Sequence, residues 1–377
     1  MARIAIVGWY GTETTGDRAI LAGLLSLFGE SFTDGFEVSL GSMYPFYTRR
    51  TQSEDLPFLR LCAGNPQLDV PIFDVQKPQE LNAAIRRCDL LVMGGGPLMG
   101  MPSLFMVEYA FARARQLRRR TLVLGCGVGP MRRKIYERSL AAILRAADGC
   151  ILRDRLSLDE CTRIAGAAAA AATAAIDPAV FAAIRYAQAS PAPEKDDAVV
   201  ACLRSFPEEY SVGRHVSAQA VNCAVKDAVS RLCAGRKTLL LPMHCFGVGG
   251  DDRYFLNHLC RELQNPGVTV QNEPLTLCQT LERFRCADLC IGMRFHAVVL
   301  QTVLNGRNLI LDYTDPAKGK IAGFIRQIGG EERYRSRYMA LQESPAAPPR
   351  FDGEPFVLDA AVVTRYRETY LDALSVV

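Results

Sequence analysis

Residues 287–304 read A-D-L-C-I-G-M-R-F-H-A-V-V-L-Q-T-V-L. The short apolar run 289–291 has the character of a buried parallel strand, Gly292 punctuates it, and the helix-forming run 297–304 follows at once. Arg294 and His296 therefore fall in a strand-to-helix turn at the carboxyl end of a strand, where open α/β sheets bind ligands. The free N–H groups at a helix start favour an anion there. Arg294 adds a planar fork that matches carboxylate or phosphate, and His296 exchanges a proton near neutral pH. An anion with acid–base chemistry beside it is one reading. An Arg294 ion pair with a helix-capping His296 is the other.

The same alternation extends outward in both directions. Residues 3–8 predict a strand ending in Gly8, followed by the loop W-Y-G-T-E-T-T-G-D at 9–17, with Gly11 and Gly16, and a helix over 18–28. The loop matches neither the dinucleotide fingerprint nor a P-loop. Asp17 either caps the helix or accepts a hydrogen bond from a substrate hydroxyl and serves as a base. The strand at 89–93 ends in Gly94, Gly95 and Gly96, which offer either bare backbone with room for a ligand or a tight turn packed on a neighbour. The strand from 121 ends in glycines at 125–129, and the strand at 149–152 ends in the charged pair Arg153-Asp154, with Ser157 as the next helix cap. Residues 43–68, bearing several prolines, predict a loop with short pieces.

The Ala-rich stretch 165–195 contains Asp177-Pro178 and closes on S-P-A-P at 190–193; a domain boundary is expected there. Beyond it, predicted strands end in Arg204 and His244, Asp252 closes a glycine- and aspartate-bearing loop at 247–252, and the turn of Arg294 and His296 follows. A strand at 308–313 precedes Lys318 and Lys320, and a helix over 358–374 ends the chain. The expected architecture is α/β: two Rossmann-like doubly wound parallel-sheet domains facing across a cleft, at 1–180 and 196–340. Residues 341–377 form a closing coil and helix that cross back to the first domain.

A chain of 377 residues accommodates two such cores, and a net charge of +4 does not argue for nucleic acid. The basic residues at 113–120 and 132–134 are solvated faces or a patch for anionic lipid or a polyanionic substrate. Thirteen cysteines without C-x-x-C spacing indicate thiols of a reducing compartment. No aspartate–histidine spacing suggests a metal, no G-x-S-x-G suggests a serine hydrolase, and no apolar run reaches the ~20 residues of a membrane span. The first strand begins almost at the N-terminus, so no signal peptide is expected and a cytoplasmic protein is. Of the four histidines, His215 and His258 have the setting of surface residues, whereas His244 and His296 stand at strand ends.

An ordered set of segments resembles the polysaccharide pyruvyl transferase family: G-W-Y-G-T-E-T-T-G-D-R-A-I-L from residue 8, V-M-G-G-G-P-L at 92–98, G-C-G-V-G-P at 125–130, I-L-R-D-R-L-S at 151–157, I-D-P-A-V-F at 176–181, C-L-R at 202–204, P-M-H at 242–244 and G-M-R-F-H-A at 292–297. The resemblance implies a GT-B-like enzyme that moves pyruvate from phosphoenolpyruvate to two hydroxyls of one sugar, with no other cofactor and no metal. It implies that Arg294 and Arg204 bind the donor, that His296 or His244 is the general acid, and that Asp17, or else Asp252, is the base. The loop with Gly11 and Gly16 and the triplet Gly94–Gly96 would face the acceptor, and Arg153 joins the substrate-binding candidates. The acceptor would be a sugar or lipid-linked oligosaccharide of a cell-surface glycan, which adds peripheral contact with the inner face of the membrane as an expectation. Thr14, Arg18 and the apolar stretch 97–101 depart from the family pattern and point to an altered acceptor. A nucleotide-sugar glycosyltransferase, with Glu273 as its ribose-binding acid, and a non-catalytic glycan-binding protein are the competing readings.

Overall fold

A computed structural model describes residues 1–207, 217–247, 250–317, 319–343 and 349–375. His215 and Lys318 lie outside the described residues. The chain forms two compact units, one of residues 1–185 with 360–377 and one of residues 186–359.

The first unit holds a parallel sheet of seven strands: β1 (Ala2–Val7), β2 (Phe36–Ser42), β3 (Ile72–Asp74), β4 (Leu90–Met93), β5 (Arg120–Cys126), β6 (Gly149–Leu152) and β7 (Ala172–Ala174). Their order is β3-β2-β1-β4-β5-β6-β7. β1 and β4 are buried along almost their whole length, as the unbroken apolar runs require of strands covered on both faces. The chain winds outward from β1 to β3 and then resumes on the other side of β1. The switch point thus lies between β1 and β4, where Val7 pairs with Met93.

The second unit repeats the winding with β8 (Asp196–Cys202), β9 (Lys237–Leu240), β10 (Val268–Val270), β11 (Ala287–Gly292), β12 (Asn308–Asp312) and β13 (Tyr338–Ala340), all parallel. The order is β10-β9-β8-β11-β12-β13, so its switch point lies between β8 and β11. Cys202 pairs with Gly292 there, which leaves Arg204 and Arg294 each two residues beyond the same register position.

Three local expectations are corrected. Residues 43–68 are not mainly loop but carry the helix Pro45–Ala63. Pro45 occupies its first turn, where no intrahelical N–H is needed, and Gly64 ends it in the left-handed conformation at φ 63°. Its buried stripe begins with Thr48, Thr51 and Asp55, so its 3.6-residue period is masked by polar side chains. The Ala-rich stretch is not a connector throughout: it supplies β7 and the helix Ala179–Ala189, with Ala175, Ile176, Asp177 and Ala179 fully buried. The helix Arg155–Ala165 is capped by Asp154, whose Oδ1 accepts from the Ser157 N–H at 2.6 Å, and not by Ser157.

The terminal helix Ala360–Leu374 belongs to the first unit. Its Tyr370 is fully buried and donates to the Ile176 carbonyl at 2.7 Å. The basic stretch 113–120 ends at the first residue of β5, on the amino edge of the sheet, whereas 132–134 follows β5 on the carboxyl edge. No helix among the described residues is long and apolar enough to cross a membrane.

Candidate active site

In the second unit the carboxyl edge is cationic. Arg294 is the extended residue immediately before the helix Phe295–Leu304, and its guanidinium pairs with Asp252. Asp252 opens the helix Asp252–Leu263; its Oδ2 accepts from the backbone N–H of Met243 at 3.1 Å and of His244 at 3.0 Å. One buried carboxylate thereby ties the end of β9 to the Arg294 fork. Both its oxygens are engaged within the protein, one by Arg294 and one by the two backbone N–H groups. His244 is buried beside it, and its carbonyl accepts from the Asp252 N–H at 3.0 Å. His296 lies in the first turn of the helix Phe295–Leu304, half-buried, with its ring edge-on to Phe295 at 5.0 Å.

Across the switch point Arg204 sits over the ring of Tyr313, 5.7 Å from its centroid, and Lys320 lies 5.8 Å from the same centroid. Tyr313 is 1% exposed and follows β12 directly. Burial pushes its phenol up, yet the nearby charges of Lys320, Arg204 and Arg294 outweigh it and hold the group below the ordinary tyrosine value. Arg204 and Lys320 thus meet over one ring, and Arg294 stands two residues beyond β11 at the same switch point. Sequence reasoning found Arg204 and Arg294 but missed Tyr313 and Lys320. The signal was the same strand-then-charge pattern, hidden because seven positions separate the tyrosine from the lysine that begins the helix Lys320–Gln327. Two helix starts and three cations at one edge suit an oxyanion of more than one charge.

The first unit's carboxyl edge is different. Thr14, not Asp17, caps the helix Thr15–Ser31: its hydroxyl accepts from the Asp17 N–H at 3.2 Å and donates to Asp17 Oδ2 at 2.6 Å. Asp17 is 7% exposed, and the buried Gly16 precedes it in the first turn. Gly94, Gly95 and Gly96 do not leave open space for a ligand. A Cβ on Gly96 would lie 2.1 Å from Trp9 Cδ1 and one on Gly95 2.8 Å from the Tyr10 hydroxyl. Trp9 is pinned across them by an indole N–H to Pro97 carbonyl bond of 2.7 Å. The packed-turn reading of the triplet is the observed one. Arg153 is likewise interior, 5% exposed and between Asp154 at 3.5 Å and Asp177 at 3.7 Å, so its fork is committed to the core.

A cavity of about 30 Å3 opens beneath this loop, lined by Tyr10, Gly11, Glu13, Thr14, Asp17 and Arg18 among others. Arg18 is held bidentately by Asp55 at 2.5 and 2.7 Å. Glu13, which sequence reasoning passed over, has φ +60°, unusual for a residue with a Cβ, and a side chain 3% exposed. Arg50 engages its Oε2, but Oε1 is shut off from solvent without a hydrogen-bond partner, as is the Tyr10 hydroxyl. Burial pushes the Glu13 carboxyl above its usual range despite Arg50 and Arg18. An orphaned buried polar group costs about 1–3 kcal/mol. No group of three or more potential metal ligands occurs among the described residues.

The fold is similar to that of a UDP-N-acetylglucosamine 2-epimerase, 12% identical with a TM-score of 0.57 over 100% of this chain and 97% of the other. It is similar to the Methanocaldococcus jannaschii UDP-GlcNAc 2-epimerase in complex with UDP-GlcNAc and UDP, 11% identical with a TM-score of 0.53 over 100% of both chains. UGT73P12 of Glycyrrhiza uralensis is 9% identical with a TM-score of 0.51, over 100% of this chain and 91% of that one. At such identities the likeness concerns the fold alone, two Rossmann-like domains of the GT-B type. No curated protein matches the sequence. The model of one family, polysaccharide pyruvyl transferase, matches residues 15–315. That span takes in the β8/β11 switch point and the candidate residues from Asp17 to Tyr313, and the chain belongs to the polysaccharide pyruvyl transferase family.

Proposed function

We propose that the second unit binds phosphoenolpyruvate and that the enzyme transfers its pyruvyl group to two hydroxyls of a sugar. The observation that carries this reading is the meeting of Arg204 and Lys320 over Tyr313, with Arg294 beside them at the β8/β11 switch point. A carboxylate and a phosphate on one small molecule need that density of positive charge in a poorly hydrated site. His296, half-buried in the first turn of its helix, donates a proton to the methylene carbon. C2 then carries the developing positive charge and takes the first sugar hydroxyl, whose proton passes to a base. Asp17 is that base in our reading. The second hydroxyl closes the ketal as the bond from C2 to the phosphate oxygen breaks, and its proton leaves with the phosphate. Asp252, which also accepts from the His244 backbone N–H, holds the Arg294 fork, and His244 stands as the alternative acid.

The acceptor is a sugar bearing a suitably placed pair of hydroxyls, free or lipid-linked. A lipid-linked acceptor would be met at the basic residues 132–134 on the carboxyl edge, not at 113–120 on the amino edge. A nucleotide-sugar reaction has the fold neighbours in its favour, but Glu273, its ribose-binding acid, is exposed. Thermal denaturation with phosphoenolpyruvate, UDP-sugars and GDP-sugars separates the readings, because a ligand specific to the native state raises the melting temperature. A shift with phosphoenolpyruvate that Arg294→Ala abolishes supports pyruvyl transfer. A shift with a nucleotide sugar alone overturns it.

A further inference from the structure

The apolar stretch 97–101 and the basic stretch 132–134 both follow strands of the first sheet on its carboxyl edge, and no chemical step of the transfer uses either. The two segments lie against each other. The Leu98 N–H donates to the Gly127 carbonyl and the Gly129 N–H to the Leu98 carbonyl, both at 2.8 Å, and the Gly100 N–H donates to the Pro130 carbonyl at 3.0 Å. Phe105, second in the helix Leu104–Gln116, stacks on Tyr136, third in the helix Lys134–Ala146, with ring centroids 5.5 Å apart. Arg132, Arg133, Lys134 and Ile135 are all exposed and lead straight into that stack. Phe105 is 38% exposed and Ile135 46%, so three cations and two open apolar side chains share one small surface. Among the described residues nine large hydrophobic side chains stand exposed, and four of them, Tyr44, Phe46, Phe105 and Ile135, lie at helix starts on this edge.

The fold does not account for these cations. Arg133 and Lys134 stand at the start of the helix Lys134–Ala146, where the helix dipole disfavours positive charge. Neither makes an ion pair among the described residues, and Glu137 of the same turn pairs with Arg163 at 3.5 Å instead. The basic residues of the opposite edge are ordinary by comparison. Arg113, Arg115 and Arg145 lie in the last turns of their helices, where the dipole welcomes them. Arg119 and Arg120 approach Asp89 at 4.0 Å and Asp148 at 3.9 Å.

We propose that this patch docks the protein on an anionic lipid bilayer. Lipid phosphates meet Arg132, Arg133 and Lys134, while Phe105 and Ile135 enter the boundary between headgroups and acyl chains. A soluble polyanion would engage the cations and leave the two apolar side chains in water; a bilayer surface takes both. The proposal deepens the reading that the first unit takes the acceptor and rests on it for its consequence. The loop 9–17 stands on the same edge of the same sheet, so a lipid-linked sugar is met where the protein touches the membrane.

The full-length protein is sedimented with sucrose-loaded vesicles of phosphatidylcholine alone and of phosphatidylcholine mixed with phosphatidylglycerol, without phosphoenolpyruvate. Binding is expected to the mixed vesicles and not to the neutral ones. Arg133→Glu with Lys134→Glu should weaken it at least about 25-fold, near fivefold for each cation. Acids suit a helix start, so this variant should keep or raise the wild-type melting temperature, which separates lost docking from lost folding. Ile135→Ser should weaken binding about fivefold, and that deficit should persist at raised salt, where charge is screened. Arg115→Glu with Arg118→Glu, on the opposite edge, should bind as the wild type does. No binding to the mixed vesicles, undiminished binding by Arg133→Glu with Lys134→Glu, or loss in the opposite-edge variant instead would each overturn the assignment. So would capture by soluble heparin that Arg133→Glu with Lys134→Glu abolishes, with no binding to vesicles. Sedimentation needs neither donor nor turnover, and the phosphoenolpyruvate-induced thermal shift needs no vesicle, so docking and pyruvyl transfer fail separately.

Discussion

The carboxyl edges of the two sheets have the same winding and opposite chemistry. At the β1/β4 switch point the strands run into Gly8 and Gly94, and the space above is filled by Trp9, Tyr10 and a pair of carboxyl groups, Glu13 and Asp17. At the β8/β11 switch point the strands run into Arg204 and Arg294, and the space is held by cations around Tyr313. Nothing in the sheets decides this difference, since the register at both switch points ends on small residues or short apolar side chains. The first few residues beyond each strand decide it. An edge floored by glycine admits aromatic side chains; an edge closed by arginine, lysine and helix starts gathers positive charge.

The largest effect should come from the cationic edge. Arg294→Ala removes a guanidinium fork and also strands Asp252, whose other oxygen holds two adjacent backbone N–H groups beyond β9. Activity, followed as phosphate release from phosphoenolpyruvate, should fall by about 100-fold or more. Stability in a denaturant titration should fall by about 3 kcal/mol, because a buried carboxylate loses its counterion. Retention of both would show that the two edges are not chemically distinct in use. Gly96→Ala attacks the other edge. The added methyl meets Trp9 at 2.1 Å on a backbone at φ +72°, and about 2 kcal/mol should be lost from the first unit. The phosphoenolpyruvate-induced shift of the second unit should survive it. A variant that lost donor binding would show that the edges are coupled.

That contrast also marks what the sequence discloses. The alternation of apolar runs with glycine or charge at their ends is enough to place both sheets, because a parallel strand buried on both faces has no polar position to confuse its period. Arg204 and Arg294 are legible for the same reason, each standing just past an apolar run. The helix Pro45–Ala63 is not, since its buried stripe opens with threonines and an aspartate that hydrogen-bond locally or pair with Arg18. Tyr313 and Lys320 are brought together by a loop whose length no local rule specifies. Arg153 and the glycine triplet mislead in the opposite sense. A charged or glycine-rich strand end signals a special position, but only tertiary packing decides whether a ligand or another side chain fills it.

A smaller effect tests the cations singly. Lys320→Ala should weaken phosphoenolpyruvate binding about tenfold and raise the Tyr313 titration seen in phenolate absorbance, since Lys320 is the strongest of the three charges holding it down. The sign in stability follows. An acid depressed in the folded state contributes stability as pH rises through its lowered value toward the ordinary tyrosine value of about 10. Wild type should therefore gain on Tyr313→Phe across that window, and the gain should shrink in the Lys320→Ala background. An unchanged phenolate titration would remove Lys320 from the site.

The smallest effect concerns how the first unit uses the end of the chain. Tyr370 comes from the terminal helix, yet it is fully buried in the first unit, edge-on to Phe181 at 5.8 Å and donating to the Ile176 carbonyl at 2.7 Å. Tyr370→Phe keeps the ring and deletes one bond, leaving a buried carbonyl short of a partner, for about 1 kcal/mol. Because Trp9 is the only tryptophan, its emission follows unfolding of the first unit, and that transition should move to lower denaturant by this amount. The phosphoenolpyruvate-dependent shift, carried by the second unit, should remain. If instead the Trp9 transition is unmoved while the phosphoenolpyruvate shift is lost, the terminal helix serves the cationic edge, and the division of labour between the two edges would have to be redrawn around it.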